Sequence, residues 1–165
     1  MRYHDITHDD MKNGDGLRVV LWLAGCSHNC PECQNPVTWD PNGGIKFDEA
    51  ARQEIFDQLS RKYISGITFS GGDPFHAANI PEVRELAKEI KEDYPEKTIW
   101  VYTGSVWEDI KYDELMQYTD VLVDGEFIAA EKDNTLRWKG SKNQRVIDVP
   151  ESLEKGEIRL HCPEY

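Results

Sequence analysis

Three cysteines, Cys26, Cys30 and Cys33, lie within eight residues, directly after the apolar run at residues 17–24. A near-continuous apolar run of this length is typical of a strand buried on both faces of a parallel sheet. The loop after such a strand begins at its carboxyl end, where open α/β sheets bind their ligands. The sequence therefore predicts a site with sulfur ligands at the end of a buried strand.

The spacing of the three cysteines favours an iron–sulfur cluster. Three thiolates can each bind one iron of a 4Fe-4S cluster, which leaves the fourth iron open to another ligand. The alternative is a zinc site with His28 or Cys162 as the fourth ligand. Structural zinc sites usually take their ligands as two separated pairs, whereas three cysteines stand together here and no second pair follows. A disulfide between Cys30 and Cys33 would leave Cys26 without a partner, which disfavours a disulfide framework.

Further apolar runs alternate with helical patterns along the chain. Strands are predicted at residues 66–70, 98–102 and 121–124, and helices at about residues 48–63, 80–94 and 107–118. Asp48 is a candidate N-cap of the first helix. Strand and helix in alternation predict crossover connections and a parallel sheet with flanking helices. Because the chain has only four or five such units, we expect an α/β fold that forms an open, partial (β/α) barrel.

The length favours one domain over residues 1–165, with a cluster loop at residues 25–39 and a C-terminal extension at about residues 125–165. The chain has 19 basic and 31 acidic residues and a formal net charge of -12, which argues against a nucleic-acid-binding surface. Its longest apolar run is too short to span a bilayer, and the first residues lack the pattern of a signal peptide. These features predict a cytoplasmic protein with protein or small-molecule partners.

Several polar or small residues follow the predicted strands: Gly71, Gly72, Asp73, Thr103 and Asp124. Because the carboxyl ends of parallel strands meet at one edge of a sheet, these residues are expected to share a site with the cysteine loop. Glycine lets the backbone approach a ligand closely, although paired glycines also occur in ordinary tight turns. A carboxylate at a strand end can equally cap a turn.

The cysteine spacing together with residues 70–74 resembles the radical S-adenosylmethionine (SAM) superfamily. Other segments narrow the resemblance to the activating enzymes of anaerobic, class III ribonucleotide reductase, and it extends to about Val149. These segments are residues 1–15, Asn35, Thr38, Trp39, and residues 100–104, 123–127 and 138–145.

The resemblance implies a radical SAM fold and a 4Fe-4S cluster held by Cys26, Cys30 and Cys33, with SAM bound at the open iron. It implies that the reduced cluster cleaves SAM to a 5'-deoxyadenosyl radical, which takes hydrogen from a glycine in the large subunit of the reductase. The cluster and SAM carry this chemistry, so no catalytic side chain is expected. Flavodoxin or ferredoxin is the expected electron donor.

The cofactor-binding residues implied by the resemblance are Glu32, Cys33, Gln34, Gly71, Gly72, Asp73, Thr103 and Asp124. Two positions depart from the wider superfamily, because Glu32 stands where many members have an aromatic residue and Asp73 where glutamate is commoner. Two other functions stay open. One is activation of a different glycyl radical enzyme, such as pyruvate formate-lyase, and the other is a non-catalytic zinc or iron–sulfur binding module.

Overall fold

The computed structural model describes residues 1–28, 30 and 38–161, which form a mixed seven-stranded sheet flanked by helices. The strands are β1 (Arg2–Asp10), β2 (Leu17–Leu23), β3 (Ile45–Lys46), β4 (Ile64–Gly71), β5 (Thr98–Tyr102), β6 (Val121–Asp124) and β7 (Arg145–Asp148). The helices are α1 (Glu49–Leu59), α2 (Ile80–Asp93), α3 (Trp107–Ile110) and α4 (Val149–Lys155), with short 3-10 helices at Glu114–Gln117 and Ala129–Glu131.

Four parallel strands, β2, β4, β5 and β6, form the centre of the sheet and lie side by side in chain order. They are the four strands that the apolar runs predict, so this part of the expectation is confirmed. Their order contains no reversal of the kind that defines a doubly wound sheet. Because the four strands are parallel, their carboxyl ends lie at one edge of the sheet.

The prediction of a purely parallel sheet is wrong at both edges. β1 and β7 are antiparallel to their neighbours, and β3 is antiparallel to β1. The sequence does not predict β1, because its buried residues Tyr3 and Ile6 are three positions apart and the strand has a register shift between Tyr3 and Asp5. An irregular strand of this kind loses the period of two on which sequence-based detection depends. β7 has only four residues and gives too short a pattern.

The helices pack on one face of the sheet, where their apolar residues share a core with β2, β4, β5 and β6. The side chain of Asp48 accepts a hydrogen bond from the Ala51 backbone at 2.9 Å, so the predicted N-cap is confirmed. The helix predicted at residues 107–118 is interrupted. Asp113 accepts a hydrogen bond from the Leu115 backbone and starts a separate 3-10 turn, which is typical of aspartate at a cap.

The other face of the four parallel strands carries side chains in rows. One row is Val20, Thr68, Trp100 and Val121, which are paired across the strands. Side chains two residues further along each strand lie on the same face, so the next row towards the carboxyl ends is Trp22, Ser70, Tyr102 and Val123.

Arg18 occupies this face at the amino ends of the strands. Its buried guanidinium donates to the hydroxyls of Thr68 and Thr98 and to the carbonyls of Asp15, Ile67 and Thr98. Burial lowers the pKa of Arg18 to about 10. All five of its N–H groups are engaged, so this side chain is a fixed part of the amino-terminal end of the face.

Candidate functional site

The cysteine loop and the glycine turn after β4 border one cavity. Cys26 and Cys30 line it together with Gly71 and Gly72. Cys30 is buried and Cys26 is partly exposed. The structure therefore brings together the described cysteines and the predicted turn. Within residues 1–28, 30 and 38–161 no three side chains of the metal-binding types form a complete metal site. Three predicted residues, Glu32, Cys33 and Gln34, lie outside the described residues, as does Cys162.

Backbone hydrogen bonds attach the glycine turn to the start of the cysteine loop. The Gly72 amide donates to the Leu23 carbonyl at 2.8 Å, and the Asp73 amide donates to the Gly25 carbonyl at 2.7 Å. A Cβ atom at Gly72 would lie 2.4 Å from the Gly25 carbonyl oxygen. Gly72 thus allows two backbone segments to touch directly, next to Cys26 in sequence.

The far end of the cysteine loop is attached to the same segment. The Gly25 amide donates to the Thr38 carbonyl at 2.6 Å, and the Cys26 amide donates to the Trp39 carbonyl at 3.0 Å. These contacts bring the two ends of the loop at residues 25–39 together. Cys26, beside this closure, lines the same cavity as Cys30.

Asp73 is buried, and its carboxylate contacts the loops after β4 and β5 and, through His28, the cysteine loop. It accepts hydrogen bonds from the Thr103 hydroxyl at 2.8 and 3.0 Å, from the Gly104 amide at 3.0 Å and from the Phe75 amide at 2.9 Å. Asp73 and Thr103, two of the residues predicted from sequence, therefore contact each other. Their contact joins the loop after β4 to the loop after β5.

His28 lies between Cys26 and Cys30 in sequence and contacts two carboxylates. Its Nε2 is 2.7 Å from Asp73 Oδ2, and its Nδ1 is 3.0 Å from Glu126 Oε1. The hydrogen bond to Asp73, followed by the bond to Glu126, raises the pKa of His28 to about 9, against the opposing effect of burial. Since an ionised carboxylate can only accept, both ring nitrogens donate. Such an imidazolium has no lone pair for a metal, which argues against His28 as a zinc ligand.

Gly104 makes room for this arrangement. A Cβ atom at Gly104 would lie 2.6 Å from the His28 ring. Sequence reasoning missed the contact between His28 and Gly104, because the two residues belong to motifs that lie far apart in the chain. The signal in the sequence was a histidine inside the cysteine loop, which favours a hydrogen bond to the backbone or contact with a protein partner over a metal ligand.

The stability of the metal-free protein is expected to depend on pH through His28. Because the folded-state pKa of about 9 lies above the ordinary value of 6.5, the contribution is complete below about pH 6.5 and is lost as pH rises through about 9. Thermal unfolding of the reduced apoprotein should show a midpoint that falls between these pH values. His28→Gln should remove this fall, whereas His8→Gln, which changes an exposed histidine beside Glu54, should retain it. An identical pH profile for wild type and His28→Gln would contradict the assignment.

Asp124 lies at the end of β6 and lines a neighbouring pocket, which has His28, Gly104 and Gly125 in common with the cysteine cavity. It accepts hydrogen bonds from the Arg145 guanidinium, the closest at 2.5 Å, and from the Trp107 amide at 2.8 Å. Arg145 also binds Glu108, and the bonds to Asp124 and Glu108 raise its pKa. The structure does not bring Asp124 to the cysteine cavity, and its predicted contact with the cofactor stays a prediction.

The side chain of Gln144 forms hydrogen bonds that hold the segment between β6 and β7 together. Its Oε1 accepts hydrogen bonds from the amides of Gly140 and Ser141, and its Nε2 donates to the Gly125 carbonyl at 2.9 Å. Asn143 donates to the Glu126 carbonyl at 2.8 Å. In residues 140–144 these polar side chains replace the hydrogen bonds of regular secondary structure.

Comparison with known proteins identifies the class of this domain. Residues 12–147 match the family model of a 4Fe-4S single cluster domain.

The part of the chain that the structure describes includes no helix with the length and apolar character needed to cross a bilayer.

Curated relatives narrow the class to one family. The anaerobic ribonucleoside-triphosphate reductase-activating protein of Escherichia coli K12 is 43% identical over 155 residues, with 88% of this chain and 97% of the relative covered. The protein of the same name from phage T4 is 41% identical, covering 88% and 93%, and that from Haemophilus influenzae is 36% identical, covering 88% and 97%. The chain belongs to the family of anaerobic ribonucleoside-triphosphate reductase-activating proteins.

Proposed function

We propose that this chain is a radical SAM enzyme that activates an anaerobic ribonucleotide reductase. When bound, a reduced 4Fe-4S cluster supplies one electron to SAM, and the resulting 5'-deoxyadenosyl radical takes a hydrogen atom from a glycine of the reductase. Two findings support the proposal. The family model describes a 4Fe-4S domain, and the relatives are named as reductase-activating proteins.

The observation that carries the proposal is the cavity shared by Cys26, Cys30, Gly71 and Gly72. Thiolates are the ligands that iron–sulfur clusters require, so this donor set fits the cluster. In the proposal Cys33 is the third ligand. Gly71 and Gly72 form one wall of the cavity without side chains that would reduce its space. In the proposal the methionine end of SAM lies against this wall.

In the proposal Asp73, Thr103 and His28 position the loops around the cofactor site. Asp73 and Thr103 hold the loops after β4 and β5 against each other, as described above. In the proposal these loops form the edge of the SAM site, and Gly71, Gly72 and the residues that follow Cys30 contact the cofactor. His28 joins the cysteine loop to this edge through Asp73. Attachment of the cysteine loop to the turn would keep the cluster ligands and the SAM-binding residues in one arrangement.

The proposed fold is an open, partial (β/α) barrel of the radical SAM type within one domain. Three features support it. The parallel strands follow chain order, the helices pack on one face, and the other face carries rows of paired side chains. A barrel wall has the same features, with helices outside and layers of side chains inside. The antiparallel β1 and β7 leave such a wall open at both sides.

The proposed partners are the large subunit of the reductase and an electron donor such as flavodoxin or ferredoxin. A reduced, cytoplasmic environment belongs to the proposal because cysteine ligands must remain thiolates to bind iron. The formal net charge of -12 supports protein partners rather than nucleic acid.

The test is activation of the reductase from the same source. The reconstituted chain, SAM, a reductant and the reductase are mixed without oxygen, and a doublet-type glycyl radical signal is expected in electron paramagnetic resonance. Replacement of the reductase's radical glycine by alanine should abolish the signal. A signal that appears only with pyruvate formate-lyase would assign the chain to a different activase. No signal with any glycyl radical enzyme, together with bound zinc, would favour the binding module.

A further inference from the structure

The His28 side chain contacts two different loops at the carboxyl edge of the sheet. One ring nitrogen is 2.7 Å from Asp73, in the loop after β4, and the other is 3.0 Å from Glu126, in the loop after β6. The proposed function uses the first contact, which joins the cysteine loop to the glycine turn. The second contact joins the same ring to the segment between β6 and β7, which contains none of the predicted site residues.

Three hydrogen bonds hold the backbone at Glu126. The Gly125 amide donates to the Ser105 carbonyl at 2.9 Å. Gln144 Nε2 donates to the Gly125 carbonyl at 2.9 Å, and Asn143 Nδ2 donates to the Glu126 carbonyl at 2.8 Å. Gly125 has a φ of 93°, which glycine adopts without strain, so the chain turns directly after β6. These contacts fix the backbone from which the Glu126 carboxylate reaches the cysteine loop.

The Asn143 side chain is itself oriented by a neighbour. Its Oδ1 accepts a hydrogen bond from the Ser141 hydroxyl at 2.6 Å, which leaves Nδ2 to donate to Glu126. Ser141 is buried, and its hydroxyl oxygen also accepts a hydrogen bond from the Ile128 amide at 3.2 Å. A connected series of hydrogen bonds therefore leads from residues 141–143 through Glu126 and His28 to the cysteine loop.

Two contacts on one ring have a consequence for the neighbouring thiolates. His28 lies two residues after Cys26 and two residues before Cys30. A ring held at one nitrogen can still rotate, whereas bonds at both nitrogens fix its orientation and the backbone that carries it. Ligands to a metal group must stay within about 0.5 Å of the productive geometry, and loops reach this precision only with support from outside.

We propose that Glu126 is a positioning residue for the cluster ligands, acting through His28, and that Asn143 holds Glu126 in place for this task. The inference rests on the ligand assignment of the proposed function and gives a role to the segment at residues 140–145. It requires no contact between Glu126 and the cluster or SAM. Loss of the carboxylate should free the outer side of the His28 ring and loosen the cysteine loop, so that the cluster is released more readily.

Glu108 provides a matched control for Glu126. The two side chains are similarly exposed, at 53% for Glu126 and 54% for Glu108, and each pairs with one cationic group. Glu108 binds Arg145 at 2.8 Å, outside the cysteine loop. Exposed ion pairs contribute little and similarly to overall stability. A difference between the two variants therefore reports on the cysteine loop.

The test measures cluster release from Glu126→Ala, Glu126→Gln and Glu108→Ala. Each reconstituted protein is mixed anaerobically with an iron chelator, and decay of the visible absorbance gives the rate. Glu126→Ala should release the cluster about 3-fold to 5-fold faster than wild type, as expected for loss of one half-exposed ion pair. Glu126→Gln keeps an acceptor oxygen for His28 and should restore most of the difference. Glu108→Ala should behave like wild type.

Hydrogen exchange in the metal-free protein is a second readout, which needs neither cluster nor SAM. The amides of Gly25 and Cys26 donate to the far end of the cysteine loop, so their exchange reports its opening. Exchange at these amides should rise in Glu126→Ala, while exchange in β4 and β5 stays unchanged. Asn143→Ala should have the same effect. The double variant should add little to it, because both residues act through one contact.

Unchanged cluster release and unchanged exchange in Glu126→Ala would overturn the inference. An equal effect in Glu108→Ala, or faster exchange throughout the sheet, would assign the effect to general stability and also overturn it. Cys30→Ala in the same assay separates these results from failure of the proposed function. If Cys30→Ala holds no cluster while Glu126→Ala releases it like wild type, the inference fails and the ligand assignment stands. If Cys30→Ala retains a full cluster, the ligand assignment is wrong and the inference fails with it.

Discussion

Replacement of Cys26 or Cys30 by alanine is expected to abolish retention of the iron–sulfur cluster. Both residues border the same cavity, and each would bind one iron, so removal of either leaves too few thiolates to hold the cluster. After anaerobic reconstitution, iron bound per chain should fall from about four to a small fraction of that. The broad visible absorbance should disappear with it.

Cys162→Ala is the matched control, because Cys162 is far from the cysteine motif in sequence. This variant should retain iron and colour, and Cys33→Ala should behave like the other two ligand variants. Loss of the cluster in Cys162→Ala, together with its retention in Cys26→Ala or Cys30→Ala, would show that the ligand assignment is wrong. Stoichiometric zinc in colourless wild-type protein would contradict the cluster itself.

Substitution of Gly72 by valine should impair both SAM binding and the cluster. From sequence alone, a side chain here would displace only SAM. The structure adds that a Cβ atom would lie 2.4 Å from the Gly25 carbonyl oxygen and 2.9 Å from the Thr38 carbonyl oxygen, at both ends of the cysteine loop. Since both neighbours are backbone, the loop must shift. We expect SAM affinity to fall at least tenfold, equivalent to about 1.4 kcal/mol, with reduced iron content.

Gly156→Ala separates this local effect from a general loss of stability. Gly156 caps α4 with a φ of 71°, and a Cβ atom there would meet nothing within 4 Å. Alanine in this conformation costs about 1 kcal/mol of stability and should leave the cluster and SAM affinity unchanged. If Gly72→Val kept wild-type iron content and SAM affinity in a folded protein, the glycine turn would have no role in the site.

The sequence predicts the centre of this fold well and its edges poorly. The four parallel strands were predictable as near-continuous apolar runs, and α2 was predictable because its buried residues recur at helical spacing. The apolar face of α2, for example, consists of Val83, Leu86, Ala87 and Ile90. β1 and β7 were not predictable, because the first is irregular and the second is short.

The candidate site was predictable as a set of positions but not as a set of contacts. The ends of parallel strands placed Asp73 and Thr103 together, and the structure shows them hydrogen bonded. The bonds from His28 to Asp73 and Glu126 join residues from three distant segments. Pairing of Asp124 with Arg145 likewise depends on the antiparallel return of β7. Contacts of this kind follow from tertiary packing, which no local pattern in one sequence records.

The central claim is that this chain binds a cluster that cleaves SAM, and formation of 5'-deoxyadenosine tests it most directly. The protein is reconstituted anaerobically with iron and sulfide, reduced in the presence of SAM without any partner, and the products are separated by chromatography. We expect 5'-deoxyadenosine and methionine from wild type and none from Cys30→Ala. Intact SAM after reduction of wild-type protein with a full complement of iron and sulfide would contradict it.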